Sequence, residues 1–236
     1  MAKLTARIDV ATAYTGSEKV PPLVEAAINA QAYSKVDFDL WKNVVHVVIS
    51  DEAVMKAAHD IMALNVNDAA KELARMENKQ IADEIATATE VAGADWGTDT
   101  NDPFDDITPV LATIMDSGYT PSHVAMHPLA WADFISNSNV QKYVQAGMLT
   151  IPMEGRGKLA LPIFPDLEIV VDHSLLNTSC FIVAAQAPAL VLGDGPTESA
   201  KYRNEPSGYD AFIIRQWLQP KLVLAGSIRE ITGVHA

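Results

Sequence analysis

Among its 236 residues the chain has one cysteine, Cys180, which excludes an intrachain disulfide. Its setting, Cys180-Phe-Ile-Val-Ala-Ala185, predicts a buried thiol, and nothing points to an oxidised compartment. Basic residues are scarce too: 17 Lys and Arg stand against 30 Asp and Glu, a formal charge of −13 with a pI near 4.7. Wrapping nucleic acid electrostatically needs an excess of cations on at least one face, so any contact with DNA is expected to be weak or local. No apolar run reaches the roughly 18 residues that a membrane span requires. The start, Met1-Ala-Lys-Leu-Thr-Ala-Arg-Ile-Asp-Val10, lacks the apolar core of a signal peptide, so a soluble chain with no membrane partner is expected. Glycine and proline, 12 and 13 residues, are too few for a low-complexity or fibrous protein.

What is present is apolar residue, 49% of the chain, enough for a sizeable core in one large domain or two intimate ones. Residues 1–30 carry little periodic signal beyond a short helix predicted at Pro21 to Ala30, and read as an arm that other surfaces must order. Val36 to Leu40 and Val44 to Ile49 read as two strands around Trp41-Lys42-Asn43, a ribbon too isolated to be stable alone. Ser50 or Asp51 caps a short helix, and Asn67-Asp68 is expected to cap a long one. Its narrow apolar stripe runs Val66, Ala69, Leu73, Met76, Ile81, Ile85, Ala88, with a slip in register near Gln80. The other faces alternate in charge and suit either solvent or adjoining subunits. A turn-rich loop, 94–103, precedes a helix from Phe104 to Ser117 closed by Gly118, a strand His123 to Met126, and a helix from Pro128 to Ile135. Beyond Gly147 the pattern is β: Lys158 to Ile163, Glu168 to Val171, Phe181 to Ala185, Leu190 to Leu192, Tyr209 to Leu218, and a further strand from Pro220. Helices followed by antiparallel-type strands imply an α+β fold in two interleaved parts.

The chemical motifs each have a plainer reading. His123 and His127 are spaced for a metal, but no third ligand has suitable spacing. Asp172-His173-Ser174 holds triad residue types, yet neighbours on a strand alternate faces, so a turn is expected. Gly155-Arg-Gly-Lys158 lacks full phosphate-loop spacing and precedes a strand rather than a helix. Asp102, Asp105 and Asp106 suit a helix cap and its first turn as well as a cation. No catalytic residue, metal ligand or cofactor site is assigned.

The order of elements resembles the major capsid proteins of tailed phages and archaeal tailed viruses, the Hong Kong 97-type fold shared with encapsulin shells. Carrying the likeness are, in order, the extended loop, Val47-x-Ile49-Ser-Asp-Glu52, a short helix and the long helix, the acidic loop, the helix closed by Gly118-Tyr119, the strand ending His127-Pro128 with Trp131, and Pro220-Lys-Leu-Val-Leu-Ala-Gly-Ser227. The likeness covers roughly residues 31 to 232. It implies an N-terminal arm (1–30), an extended loop (31–50), a peripheral domain with its spine helix (51–103) and an axial domain (104–195). A peripheral return strand (196–219) and a return into the axial domain (220–236) complete it. The N-terminus is short for a scaffold-like segment plus a long arm, so that segment is expected to be removed, supplied separately or dispensed with. The function implied is a structural subunit self-assembling, as hexamers and/or pentamers, into an icosahedral virion capsid around double-stranded DNA. Assembly is expected in the host cytoplasm, with portal, scaffold or decoration proteins as further partners. Lys35, Trp41, Lys42 and Asn43 on the ribbon, and Lys71, Arg75 and Lys79 on the spine helix, become candidate inter-subunit contacts. A lysine–asparagine cross-link from Lys35 or Lys42 has precedent in relatives, though a solvated lysine is the default. The alternatives are an encapsulin-like compartment around a cargo enzyme and a small metal-dependent hydrolase built on His123, His127 and the acidic loop.

Overall fold

The computed structural model describes residues 5–11, 32–56, 60–147, 156–161, 164–185 and 189–236. The helix predicted at Pro21 to Ala30 and the glycine Gly155 lie outside them. Strands and helices are named in chain order.

The β-branched run Val44 to Ile49 forms β3 (Trp41–Ser50), the strand conformation such side chains favour. It pairs antiparallel with β10 (Tyr209–Leu222), which pairs in turn with β9 (Leu190–Asn204), in the order β3-β10-β9. Alternation sends Val45 and Val47 with Phe212 and Ile214 to one face, where Ala69 and Leu73 of the long helix α2 (Ile61–Ile85) pack on them. Helix α2 starts six residues before Asn67: Asp60 is its cap, accepting from Ala63 N at 3.1 Å. The first turn, Ile61-Met-Ala-Leu64, is uniformly apolar and so shows no period to betray it. The slip in the stripe falls where Gln80 Nε2 donates to Asn43 Oδ1 at 2.8 Å, a polar pair closing the gap between helix and sheet. The short helix α1 (Asp51–Lys56) is capped by Ser50, whose Oγ accepts from Ala53 N at 3.3 Å.

The predicted ribbon is paired differently. Trp41, Lys42 and Asn43 belong to β3 itself, leaving Leu40 alone between it and β2 (Tyr33–Asp39). One residue cannot reverse the chain where a hairpin needs at least two. Strand β2 instead pairs antiparallel with β1 (Thr5–Ala11), from Thr5 opposite Asp39 to Ala11 opposite Tyr33. The base of this hairpin is fixed. Phe38 is buried, and a Cβ at Gly193 would come within 3.0 Å of both Phe38 and Leu40. Asp39 N donates to Gln219 Oε1 at 2.7 Å, and Lys221 Nζ to Asp37 O at 2.8 Å.

Pro220 does not begin a new strand. β10 carries a bulge between Gln216 and Leu218 and continues, because β3 ends opposite Leu218 and Pro220 has one free side. β9 is far longer than Leu190 to Leu192, running through Gly193, Gly195 and Pro196, residues tolerated in an edge strand.

A six-stranded sheet forms the second layer system, in the order β4-β11-β8-β5-β7-β6. Its strands are β4 (Thr89–Ala92), β5 (His123–Met126), β6 (Arg156–Leu161), β7 (Phe164–Val171), β8 (Ser179–Val183) and β11 (Ile228–Thr232). β4 runs parallel to β11 and β5 to β7; the other pairs are antiparallel. Three helices cover one face: α3 (Pro103–Asp116), α4 (Pro128–Ser136) and α5 (Ser138–Gln145), the last not anticipated from the sequence. Trp96, Ile107, Leu111, Ile114, Phe134 and Ile182 are central to the core between them. Gly118, at φ +84°, ends α3 as expected, with Tyr119 N donating to Ile114 O at 3.2 Å. Helix α2 stops at Ile85, short of Ala88 at the end of the predicted stripe, because Thr89–Ala92 joins the sheet.

Candidate assembly surfaces

The histidines and most of the acidic groups singled out in the sequence hold local structure. His123 Nδ1 lies 2.8 Å from Ser122 Oγ and its Nε2 lies 3.4 Å from Glu168, while Ser122 Oγ accepts from Ala185 N at 2.8 Å. His127 instead caps α4, its Nδ1 accepting from Leu129 N at 3.1 Å, so the two histidines serve different partners. Asp172 Oδ1 accepts from Ser174 N at 2.7 Å, which is the expected turn. Asp102 caps α3 through Phe104 N at 3.0 Å and accepts from Tyr143 Oη at 3.0 Å. Asp106 holds the loop above it, accepting from Ala94 N at 3.0 Å and Trp96 Nε1 at 2.9 Å. Among the described residues no group of three or more His, Cys, Asp or Glu is placed to hold a metal. Cys180 is fully buried, and that burial pushes its thiol far above the usual range.

The candidate contact residues separate into four settings. Asn43 is only 8% exposed and spent on Gln80, which removes it from the chain's outer surface. Trp41, 68% exposed, overhangs a groove of about 480 Å³ that it shares with Gln80, Asp83, Glu84, Leu218 and Pro220. Lys35 and Lys42 are exposed on their strands. On α2, Lys71 pairs with Asp68 at 3.1 Å, Lys79 with Asp83 at 3.0 Å, and Arg75 grips Glu72 through two bonds of 2.8 and 2.6 Å. The Arg75 guanidinium holds the Glu72 carboxyl below its ordinary range. All three pairs lie on the surface, where solvent screens such contacts and they add little to the helix.

The surface that sequence reasoning missed is the β1–β2 hairpin. Its strands put Ala6 and Ile8 with Val36 and Phe38 on one face, and Arg7 and Asp9 with Lys35 and Asp37 on the other. Arg7 grips Asp37 across the polar face. Among the described residues no helix or sheet covers the apolar face beyond the base at Phe38, and Ile8 and Val36 stay half-exposed. The signal was the period-two alternation of Ala6, Ile8 and Val10 with Arg7 and Asp9.

A long helix on a three-stranded sheet, a protruding hairpin and a helix-covered six-stranded sheet together define a Hong Kong 97-type capsid fold. The chain superposes on a structure from Mycobacterium phage Che8 with a TM-score of 0.67 at 15% identity, covering 99% of this chain and 86% of that one. The capsid of cyanophage P-SCSP1u gives 0.71 at 12%, over 99% and 84%, and a virus-like particle from Pyrococcus furiosus gives 0.63 at 14%, over 98% and 87%. At such identities the likeness shows the fold alone. The family model described as phage capsid protein matches residues 47–223, and the chain belongs to that family. It is a structural protein of the virion, a major capsid subunit that assembles with copies of itself into a shell. No curated protein matches it.

Proposed function

We propose that the chain is the repeating subunit of an icosahedral capsid, arranged as hexamers and/or pentamers around double-stranded DNA. In this reading the three-stranded sheet with α2 is the peripheral domain and the six-stranded sheet the axial domain, whose loops meet around the capsomer centre. The β1–β2 hairpin, rather than a ribbon around Lys42, is the extended loop and lies over a neighbouring subunit. The observation that carries this is the hairpin itself: it is anchored at its base and offers an apolar face that no helix or sheet among the described residues covers. A ribbon of two strands is marginal in water, and a neighbour supplies the missing layer. Trp41, Lys35, Lys42 and the mixed charges at Lys71, Arg75 and Lys79 face such neighbours. A charge of −13 fits a wall that encloses DNA without gripping it. Assembly takes place in the host cytoplasm, where portal, scaffold or decoration proteins join, and the shell carries out no catalysis.

Negative-stain microscopy with light scattering tests this on the purified protein. Uniform hollow particles hundreds of ångströms wide are expected; a stable monomer or dimer under every assembly condition tried would overturn it. Particles that copurify with a cargo protein and no genome would replace the viral reading with an encapsulin-like one.

A further inference from the structure

Three of the six histidines gather at one corner of the axial sheet, where β5 passes into α4. His127 ends that strand and caps the helix, a task that requires a bare Nδ1 to accept the Leu129 N–H. The loop after β7 is drawn alongside by Asp172 N, which donates to Met126 O at 3.1 Å and brings Asp172 and His173 near His127. The chain's last described stretch arrives from the other side. Val234 is fully buried, its N–H donates to Thr178 O at 3.0 Å and its carbonyl accepts from Trp96 N at 3.0 Å. Next to it, His235 Nδ1 is hydrogen-bonded to Asp133 of α4. Asp95 completes the charged surroundings: a Cβ at Gly97 would touch both its carboxylate and that of Asp133, at 3.2 and 3.3 Å.

We propose that this corner is a proton-operated latch, in which neutral His127 holds the start of α4 closed and its protonation releases that turn together with the stretch pinned by His235. A cationic His127 cannot accept the Leu129 N–H. It would also place positive charge on the positive end of the helix dipole, facing His235 and His173. Asp133 is engaged by His235, and Asp172 by the Ser174 N–H, so neither carboxylate is free to compensate fully. Burial first, then the charges of His235 and His173, hold the His127 pKa below its ordinary value, with Asp172 opposing. The sign follows from linkage. The unfolded chain takes up the proton first, so the latch is firm above about pH 6.5 and weakens as pH falls toward the folded value.

Amide hydrogen exchange on the full-length protein, corrected for intrinsic rates and referred to α3, tests the latch between pH 7 and pH 5. In the wild type, protection across residues 127–134 and 233–236 should fall by about fivefold, the scale of one lost N-cap. His127→Asn supplies a cap that does not titrate and should keep protection level across the same range. Wild-type protection that does not change with pH, or a His127→Asn protein that loses it as steeply as the wild type, would overturn the proposal.

Discussion

The two sheets solve burial in different ways. The six-stranded sheet places Leu111, Ile114, Phe134 and Ile182 in a continuous core under three helices, each fully buried within one chain. The three-stranded sheet has Ala69, Leu73 and Ile214 as its buried cluster, with Val45, Val47 and Phe212 half-covered around them. Its outer face leaves Val44, Val48 and Tyr202 exposed, and the hairpin beside it leaves Ile8 and Val36 half-exposed. One region buries a large core within its own chain, whereas the other buries a small one.

Core truncation should widen that contrast most. Leu111→Ala is expected to cost the unassembled subunit about 3–5 kcal/mol and Leu73→Ala about 2–3 kcal/mol, as buried leucines cost more where little can collapse around them. Equal losses in denaturant melts would mean the sheets are equally self-sufficient.

A smaller effect comes from a flaw in the better-packed sheet. Glu230, 3% exposed on β11, has one carboxyl oxygen with no hydrogen-bond partner among the described residues and lies opposite Glu90 of β4. Burial raises its pKa, the Ser179 hydrogen bond opposes this, and the Glu90 charge adds to it. A raised carboxyl pKa means stability is fullest below the unfolded carboxylate range and is lost as pH rises through the folded value. Glu230→Gln should therefore raise the melting temperature by about 2–4 °C at pH 7, for about 1 kcal/mol, and by much less near pH 4. A uniform shift at both pH values would point to packing rather than ionisation.

The smallest effect on the isolated subunit should come from reversing Lys71, Arg75 and Lys79 to glutamate. Exposed ion pairs add little to stability, because solvent screens them. Assembly yield should fall far more than melting temperature; normal particles would mean that this face of α2 is simply solvated.

How much of this was legible in the sequence follows the same division. Local signals carried His123–Met126, the Gly118 stop, the Pro128 start and the buried Cys180, because each is decided by residues a few positions apart. The partner of β2 was illegible where it mattered: Thr5 to Ala11 sits more than twenty positions away, and a nearer strand offered itself. The length of β9 is decided by β10, whose apolar alternation carries glycine and proline along with it. Asn43 looked like an exposed ribbon-tip residue until Gln80, 37 positions on, was placed over it. Of the candidate contacts, Trp41 and the lysines kept their exposure, which is what a residue awaiting another subunit must have.

The most direct test is amide exchange measured on the same protein before and after assembly. The account predicts that residues 5–11 and 33–39, together with the outer face of the three-stranded sheet, gain protection on assembly, while the core of the six-stranded sheet stays as it was. Assembled particles in which the hairpin exchanges as freely as in the subunit would contradict it.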